Sequence, residues 1–331
     1  MSSAITSPSA KTQALRLTAF LVLTAMVALI VATPFLPNYY IRVANSLLIY
    51  ILLGIGLNIV IGYAGLLDLG FVAFYAVGAY TYALLASPQL DLHLPFLVIV
   101  CIAAFLGMIT GVLLGIPVLK LRGDYLAIVT LGFGEIIRIV INNVDWLTGG
   151  PKGIARLDKA SILGVDLARP VEIYWLLLVT VLGVGLFVWR LERSILGKAW
   201  AAIREDQDAA RGIGINTTTA KLAAFATSAT IGSIAGTIFA ASQRFVSPES
   251  FSLQESVLIV LMIVIGGIGN ILGIAAGAAI LILLPEMLRE LAEWRILFLG
   301  ILMVVLIIVR PAGIVPRSFG PEKLIRGLFG K

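Results

Sequence analysis

The feature that most constrains this chain is a series of long, almost unbroken apolar runs. Leu17–Leu36 and Leu94–Ile116 are two of them, and each is as long as the roughly 20 residues that a helix needs to cross a bilayer. The runs do not alternate at every second residue, so they predict helices and not the strands of a barrel. With 60% hydrophobic and 13% charged residues, the chain has too little polar surface to fold in water. We therefore expect an all-α integral membrane protein.

The order of the apolar blocks predicts a polytopic bundle of about ten transmembrane helices with both termini in the cytoplasm, where Lys and Arg accumulate. Eight helices with one glycine-rich pair re-entrant is the alternative. We expect a cytoplasmic tail over 1–16, a transmembrane domain over 17–310 and a second cytoplasmic tail over 311–331. The expected helices cover 17–36, 43–61, 71–86, 95–118, 125–141, 171–189, 222–241, two within 256–287, and 296–309.

One cytoplasmic connection, 192–216, is too polar to span and yet has a clear pattern. Small and apolar residues such as Trp200 and Ile203 alternate with charged ones, and glycines follow, which predicts a short amphipathic helix. A helix lying on lipid is the alternative, but its acidic residues would be repelled by anionic headgroups. We favour a docking loop for a protein partner, with Gly197, Ala199, Ala202, Arg204, Glu205, Asp206, Asp208, Arg211 and Gly212 as candidate docking residues.

Two glycine-rich breaks interrupt the apolar blocks. The strings Val60–Gly65 and Val264–Gly269 both read Val-Ile-Gly-x-x-Gly, either by chance or because broken helices recur at transport sites. Their glycines permit left-handed turns and close helix packing, so each break either lines a path or simply packs tightly. The candidate residues of the breaks are Gly62, Gly65, Asp68, Gly70, Gly266, Gly267 and Gly269.

Glu135 and Arg138 are ionisable residues within an expected span. Their spacing of three places them on one helical face, where they can pair. Charged groups in a membrane usually face a partner or a cavity. The pair is therefore either a structural ion pair buried between helices or a polar lining of the substrate route.

The polar segment 142–170 is expected outside the membrane and is long enough for a short surface helix. Its turn-rich part includes Thr148, Gly149, Gly150 and Gly153, which form either a contact for a binding protein or a simple connector. We expect no metal site, because Cys101 is the one cysteine and His93 the one histidine. Cys101 lies in an apolar run and is expected to be a buried core residue.

Together these stretches resemble a known family. The docking loop is similar to the coupling loop of ABC importer permeases, and the chain as a whole resembles the branched-chain amino acid permease family. The subunit it resembles is the one usually paired with a second, homologous permease. The matching stretches, spread between Asn45 and Val315, are 62–67, 69–70, 78–80, 121–125, 130–131 with Glu135, 148–154, 247–248, 251–252, 266–269 and 310–314.

The resemblance implies a partner permease, two cytoplasmic ATP-binding subunits at the docking loop and an extracytoplasmic solute-binding protein. It also implies a bacterial or archaeal cytoplasmic (inner) membrane. The cargo would be branched-chain amino acids or, as for similar permeases, urea, amides or other small polar solutes. The family often has Ser and His where this chain has Asp68 and Phe71, which puts the turn or the substrate range in doubt.

No glycine-rich loop of the Walker type is present, so we expect a transporter subunit that is not itself an enzyme and binds no cofactor, with ATP bound by its partners. Two other classes are alternatives. An ion-coupled secondary transporter would need an ion site at mid-membrane, for which Glu135 alone is thin support. A membrane enzyme would need clustered Asp, His or metal ligands.

Overall fold

Most of the chain between residues 33 and 287 is described by the structure, a computed structural model. The described residues are 33–119, 121, 123–162, 164–287, 300–301, 304–305, 308–310 and 313–315. The expected first span 17–36 therefore lies largely outside them, as do most of the last span 296–309 and nearly all of both expected tails.

The described residues form a mostly helical protein. The helices are α1 (Asn38–Asn58), α2 (Val72–Leu85), α3 (Phe96–Val118), α4 (Asp124–Asn143), α5 (Asp145–Thr148), α6 (Pro170–Arg193), α7 (Ile195–Glu205), α8 (Gln207–Gly212), α9 (Thr217–Gln243), α10 (Leu253–Gly266) and α11 (Ile271–Met287). A π-helical turn, Ile59–Tyr63, continues α1. Three 3-10 turns cover Thr33–Phe35, Gly150–Lys152 and Pro248–Phe251.

Four described helical segments are long and apolar enough to cross a membrane: Asn38–Tyr63, Phe96–Val118, Pro170–Arg193 and Thr217–Gln243. The helices α2, α10 and α11 are apolar but shorter. The predicted polytopic helical architecture is confirmed, including the break of the run 256–287 into two helices. The number of ten spans stays a prediction, because two of them lie mostly outside the described residues.

The core of the bundle is built around α9, which packs most extensively against α3 and α2. Its buried residues are largely Ala, Gly, Ser and Thr, and such small residues allow the backbones of membrane helices to approach closely. The Ser233 hydroxyl donates to the Phe74 carbonyl at 2.9 Å, and the Thr237 hydroxyl donates to the Gly78 carbonyl at 3.3 Å. These bonds fix α9 to α2.

The ends of the long helices follow their local sequence. The Asn216 side chain accepts the Thr219 amide at 3.1 Å and caps the start of α9, while Arg244 ends it with a φ of 54°. Pro170 occupies the first turn of α6, where its missing N–H has no helical partner to lose. These two helices therefore begin where capping rules predict.

The expected burial of Cys101 is wrong, because its side chain is exposed. It lies on α3, which buries one stripe of residues against the bundle and leaves residues such as Leu97 and Phe105 exposed. In a membrane such a face contacts lipid or another protein. A continuous apolar run does not reveal which face of the helix is buried and which is exposed.

Candidate functional site: the docking loop and the two broken helices

The docking loop is not one helix, as expected, but two short helices with a break at Asp206. The Asp206 backbone is extended, with φ −154° and ψ 115°. Its carboxylate accepts the amides of Asp208 at 2.8 Å and Ala209 at 3.0 Å, which makes it the N-cap of α8. The expected helix stop is confirmed, since α8 ends at Gly212.

The docking loop is anchored to the bundle by side chains that point inward. Trp200 is fully buried, and its indole N–H donates to the Ala220 carbonyl at 2.7 Å. The guanidinium of Arg204 donates to the Gly62 carbonyl. The ammonium of Lys221, also buried, donates to the Gln207 side chain at 2.7 Å. These contacts place the loop firmly against α1 and α9.

The opposite side of the loop is open. Of the candidate docking residues, Glu205, Asp206, Asp208, Arg211 and Gly212 are exposed, Ala199, Ala202 and Arg204 are half-buried, and Gly197 is buried. The Asp208 carboxylate oxygen Oδ1 lies 3.6 Å from Nη1 of the Arg211 guanidinium. The candidates therefore divide into an exposed, mainly acidic group and a group that is partly or fully buried.

Two apolar residues of the loop were missed by sequence reasoning. Ile195 is 87% exposed and Ile213 is 76% exposed, one at the start of α7 and one directly after α8. Exposed aliphatic side chains within a polar loop are available for contact with a protein or a membrane. Their position beside Ser194 and between Gly212 and Gly214, at the ends of the two short helices, was the signal that could have identified them.

The first break is the non-helical stretch 64–70 between the π-helical turn and α2, which we call the extended segment; it opens with Ala64 in a helical conformation and Gly65 at a φ of 69°. Along it, exposed and buried residues alternate: Gly65 and Leu67 are exposed, whereas Leu66 and Asp68 are buried. This period of two is typical of an extended chain. In a membrane, such backbone is tolerated where it is buried in protein or lines a water-filled cavity.

Side chains from other helices satisfy the polar groups of this segment. The Leu69 amide donates to the Thr130 hydroxyl at 3.0 Å, and the Ser256 hydroxyl donates to the Leu69 carbonyl at 2.6 Å. Asp68 accepts the Gly70 amide at 2.9 Å, so its carboxylate shapes the turn into α2. Its second oxygen has no hydrogen-bond partner among the described residues.

The second break, Gly267–Asn270, lies against the first. The Gly269 amide donates to the Asn58 side chain at 2.9 Å, and a Cβ added to Gly62 would lie 2.9 Å from the Gly269 Cα. The last glycines of the two repeated strings, Gly65 and Gly269, have φ values of 69° and 84°. The two strings thus lie against each other and share a left-handed glycine at their last position. Gly266 and Gly267 are buried there.

Glu135 and Arg138 form an ion pair within α4. Their side chains are 38% and 35% exposed. One turn and two turns before Arg138, Gly134 and Thr130 pack the helix against the extended segment. The pair therefore bridges one turn of one helix, and it lies on a face that the described residues leave partly open.

The segment 142–170 is more ordered than a simple connector. It contains α5 and the strands β1 (Ile154–Ala155), β2 (Ser161–Ile162) and β3 (Val165–Asp166). β2 pairs with β3, and β1 pairs antiparallel with β4 (Phe245–Val246) after α9. Of the candidate residues, Thr148 is buried and donates to the Ile141 carbonyl at 2.6 Å, whereas Gly149, Gly150 and Gly153 have positive φ values.

His93 joins this segment to the linker between α2 and α3. Its ring nitrogens lie 2.5 Å from Asp158 and 3.1 Å from Asp91. Hydrogen bonds to these carboxylates, the bond to Asp158 first, raise the pKa of His93 above its usual value. Among the described residues, no group of three or more His, Cys, Asp or Glu side chains is arranged to hold a metal ion.

Comparison with known proteins agrees with this geometry. The family model described as the branched-chain amino acid transport system permease component matches residues 39–309. The chain is 41% identical to the high-affinity branched-chain amino acid transport system permease protein LivM of Salmonella typhimurium, over 93% of this chain and 77% of that protein. It is 42% identical to the protein of the same description from Escherichia coli, with the same coverage.

A more distant relative carries a different cargo in its name. The autoinducer 2 import system permease protein of Escherichia coli is 24% identical over 86% of this chain and 84% of that protein. No solved structure matches the chain. Because the family model covers both broken helices and the whole docking loop, this chain belongs to the family of branched-chain amino acid transport system permease components.

Proposed function

We propose that this chain is a membrane-spanning permease subunit of an ATP-driven importer in a bacterial or archaeal cytoplasmic membrane. The observation that carries the proposal is the docking loop, which is anchored inward by Trp200 and Arg204 and open outward at its acidic and aliphatic residues. An exposed surface of this composition suits a protein groove better than lipid. Two ATP-hydrolysing subunits would supply such grooves, one for this chain and one for its partner.

The partner is a second, homologous permease, and the pathway runs between the two chains. Along this pathway we place the extended segment 64–70, because non-helical backbone in a membrane protein is tolerated where it is buried in protein or lines a cavity. We also place the Glu135–Arg138 pair there, because a half-exposed ion pair facing lipid would be costly. This chain would bind no cofactor, since ATP is bound and hydrolysed by the partner subunits.

The proposed cargo is a branched-chain amino acid, delivered by an extracytoplasmic solute-binding protein that touches the segment 142–170. The relatives with the highest identity quoted above are named for this cargo. The relative named for autoinducer 2 supports a second candidate, another small polar solute. Because a delivering protein does much of the selection, receptor binding is the sharper test of cargo.

The function is tested by reconstituting the chain in proteoliposomes with its partner permease, the ATPase subunits and the binding protein. We expect uptake of radiolabelled leucine, isoleucine or valine that requires both ATP and the binding protein. Uptake by this chain alone, driven by an ion gradient, would instead support a secondary transporter. Replacement of leucine by amides, urea or autoinducer 2 in the same assay separates the cargo candidates.

The docking surface is tested by charge reversal that spares the helix cap. The double variant Glu205→Lys with Asp208→Lys reverses two exposed charges while Asp206 still caps α8. We expect the ATPase to co-purify with the variant at less than about a tenth of the normal yield, which corresponds to about 1.4 kcal/mol. Asp206→Asn, which retains a capping oxygen, is the control for folding. Undiminished co-purification of the double variant contradicts the docking assignment.

A further inference from the structure

Among the described residues, Arg204 is the one candidate docking residue whose guanidinium bonds to a part of the bundle far away in sequence. It donates to the carbonyl of Gly62, which is 142 residues away in sequence. Its aliphatic stem packs on Gly65, because a Cβ added there would lie 2.7 Å from the Arg204 Cγ. Arg204 therefore contacts Gly62 and Gly65, the two ends of the short stretch that connects α1 to the extended segment.

The Gly62 carbonyl belongs to the π-helical turn that ends α1. Carbonyls in the last turn of a helix have no partner further along the helix, and cationic side chains stabilise them. Turns of this type frequently mark functional sites in helices. The guanidinium thus occupies a position where it holds the last turn of α1 and the first residues of the extended segment together.

The same turn meets the second break. Asn58, directly before it, accepts the Gly269 amide at 2.9 Å. The Ile314 amide donates to the Ile265 carbonyl at 2.9 Å, and the Val315 amide donates to the Gly266 carbonyl at 3.0 Å. The end of α7, the π-helical turn, the second break and residues 314–315 therefore meet at one place, which we call the junction.

The helix α7 has two anchors to the bundle, and they lie on different helices. Trp200 holds it to the start of α9 through the Ala220 carbonyl. Arg204, one turn later, holds it to the end of α1. Arg204 therefore gives α7 a direct side-chain connection to the junction, separate from its connection to α9 through Trp200.

We propose that Arg204 is a positioning residue that transmits the movement of the docking loop to the two broken helices. It does so by holding the Gly62 carbonyl while its stem packs on Gly65. The proposal rests on the proposed function, because the movement originates in ATPase subunits bound to α7 and α8. It reassigns Arg204 from contact with those subunits to contact within the permease.

The test uses the full complex in proteoliposomes and compares Arg204→Ala with Arg204→Lys and with Arg190→Ala. Arg190 is an exposed residue near the end of α6 and controls for loss of a positive charge near the docking loop. For each variant, three quantities are measured: co-purification of the ATPase, ATP hydrolysis stimulated by loaded binding protein, and substrate taken up per ATP hydrolysed.

We expect Arg204→Ala to retain the ATPase and to hydrolyse ATP, but to take up at least about tenfold less substrate per ATP. Arg204→Lys should recover part of that ratio, because an ammonium can still donate to one carbonyl, and Arg190→Ala should leave it unchanged. A merely structural role would lower uptake and hydrolysis together and leave their ratio intact, which would overturn the proposal.

Two other outcomes are distinguishable. Loss of ATPase co-purification in both Arg204 variants would make Arg204 a docking residue and overturn its role in transmission. Absence of ATP-dependent uptake by the unaltered complex would contradict the proposed function itself.

Discussion

At the residue scale, the side chains that matter most are those that satisfy a backbone group far away in sequence. Arg204 bonds to the Gly62 carbonyl, and Asn58 accepts the Gly269 amide across 211 residues. A backbone N–H or C=O group without a hydrogen-bond partner inside a membrane costs roughly several kcal/mol, because no water is there to replace the partner. Single polar residues therefore decide whether the broken helices are stable.

Gly65 gives the first prediction at this scale. Its φ of 69° is a conformation that costs an L-residue about 1–2 kcal/mol, and a Cβ there would press on the stem of Arg204. We expect Gly65→Ala to lower the free energy of unfolding in detergent by at least that amount and to reduce uptake per ATP.

The control for that prediction is Gly183→Ala in α6. A Cβ added at Gly183 meets no described atom within 4 Å, and alanine is favoured over glycine within a helix. Equal unfolding midpoints for the Gly65 and Gly183 variants would show that the backbone conformation at Gly65 is not a constraint.

His93 gives a prediction about pH. Its pKa is raised by the bonds to Asp158 and Asp91, so folding favours the protonated ring. The contribution is complete below the unfolded value of about 6.5 and is lost as the pH rises through the higher pKa of the folded protein. We expect hydrogen exchange around Asp158, corrected for intrinsic rates, to accelerate over that rise in pH. His93→Gln should abolish the pH-dependent step, and a step that persists would assign it to another group.

At the element scale, the extended segment 64–70 shows how a non-helical stretch is held between membrane helices. Thr130 on α4 and Ser256 on α10 bond the amide and the carbonyl of the same residue, Leu69. The Asp68 carboxylate then turns the chain towards α2. The segment is thus bonded to two helices that are distant in sequence. The helix α2 begins at Val72, directly after this bonded stretch.

Thr130→Val tests this arrangement. Valine keeps the shape of threonine but leaves the partly buried Leu69 amide without its acceptor, at a cost of about 1 kcal/mol. We expect a lower thermal unfolding midpoint for the purified chain in detergent. Thr110→Val is the matched control, because the Thr110 hydroxyl donates to the Leu106 carbonyl one turn back in α3. If both variants unfold alike, Leu69 does not depend on Thr130.

At the scale of the whole molecule, α9 connects the two surfaces that the proposed function uses. The docking loop comes directly before it, and β4, which pairs with the segment 142–170, follows its end. Its 27 residues correspond to about 40 Å of helix. The two surfaces are therefore expected on opposite sides of the membrane.

Cysteine labelling tests this orientation in a Cys101→Ser background. Lys198→Cys marks the docking loop and Glu249→Cys marks the turn after β4; both native side chains are exposed. In right-side-out vesicles, a charged, impermeant maleimide should label only the cysteine at 249, and in inverted vesicles only the cysteine at 198. Labelling of both positions from one side contradicts the topology.

The sequence alone was sufficient for the helical membrane architecture, for the position of the docking loop and for the two breaks. Each of these depends on local properties: the length of an apolar run, the polarity of the residues between runs, and glycine where helices end. The alternation of charged and small residues over 192–216 predicts a docking surface, which stays a prediction. It does not show that Asp206 divides the loop into two helices.

Only the tertiary structure decided which way the important side chains point. Arg204 and Glu205 are neighbours of similar polarity, yet one bonds inward to Gly62 and the other is exposed. Cys101 lies on an exposed face of α3, contrary to expectation. The repeated strings, which by themselves favour a chance match over a functional one, meet at the junction. Such outcomes depend on contacts between segments far apart in the chain, and local periodicity carries no information about those contacts.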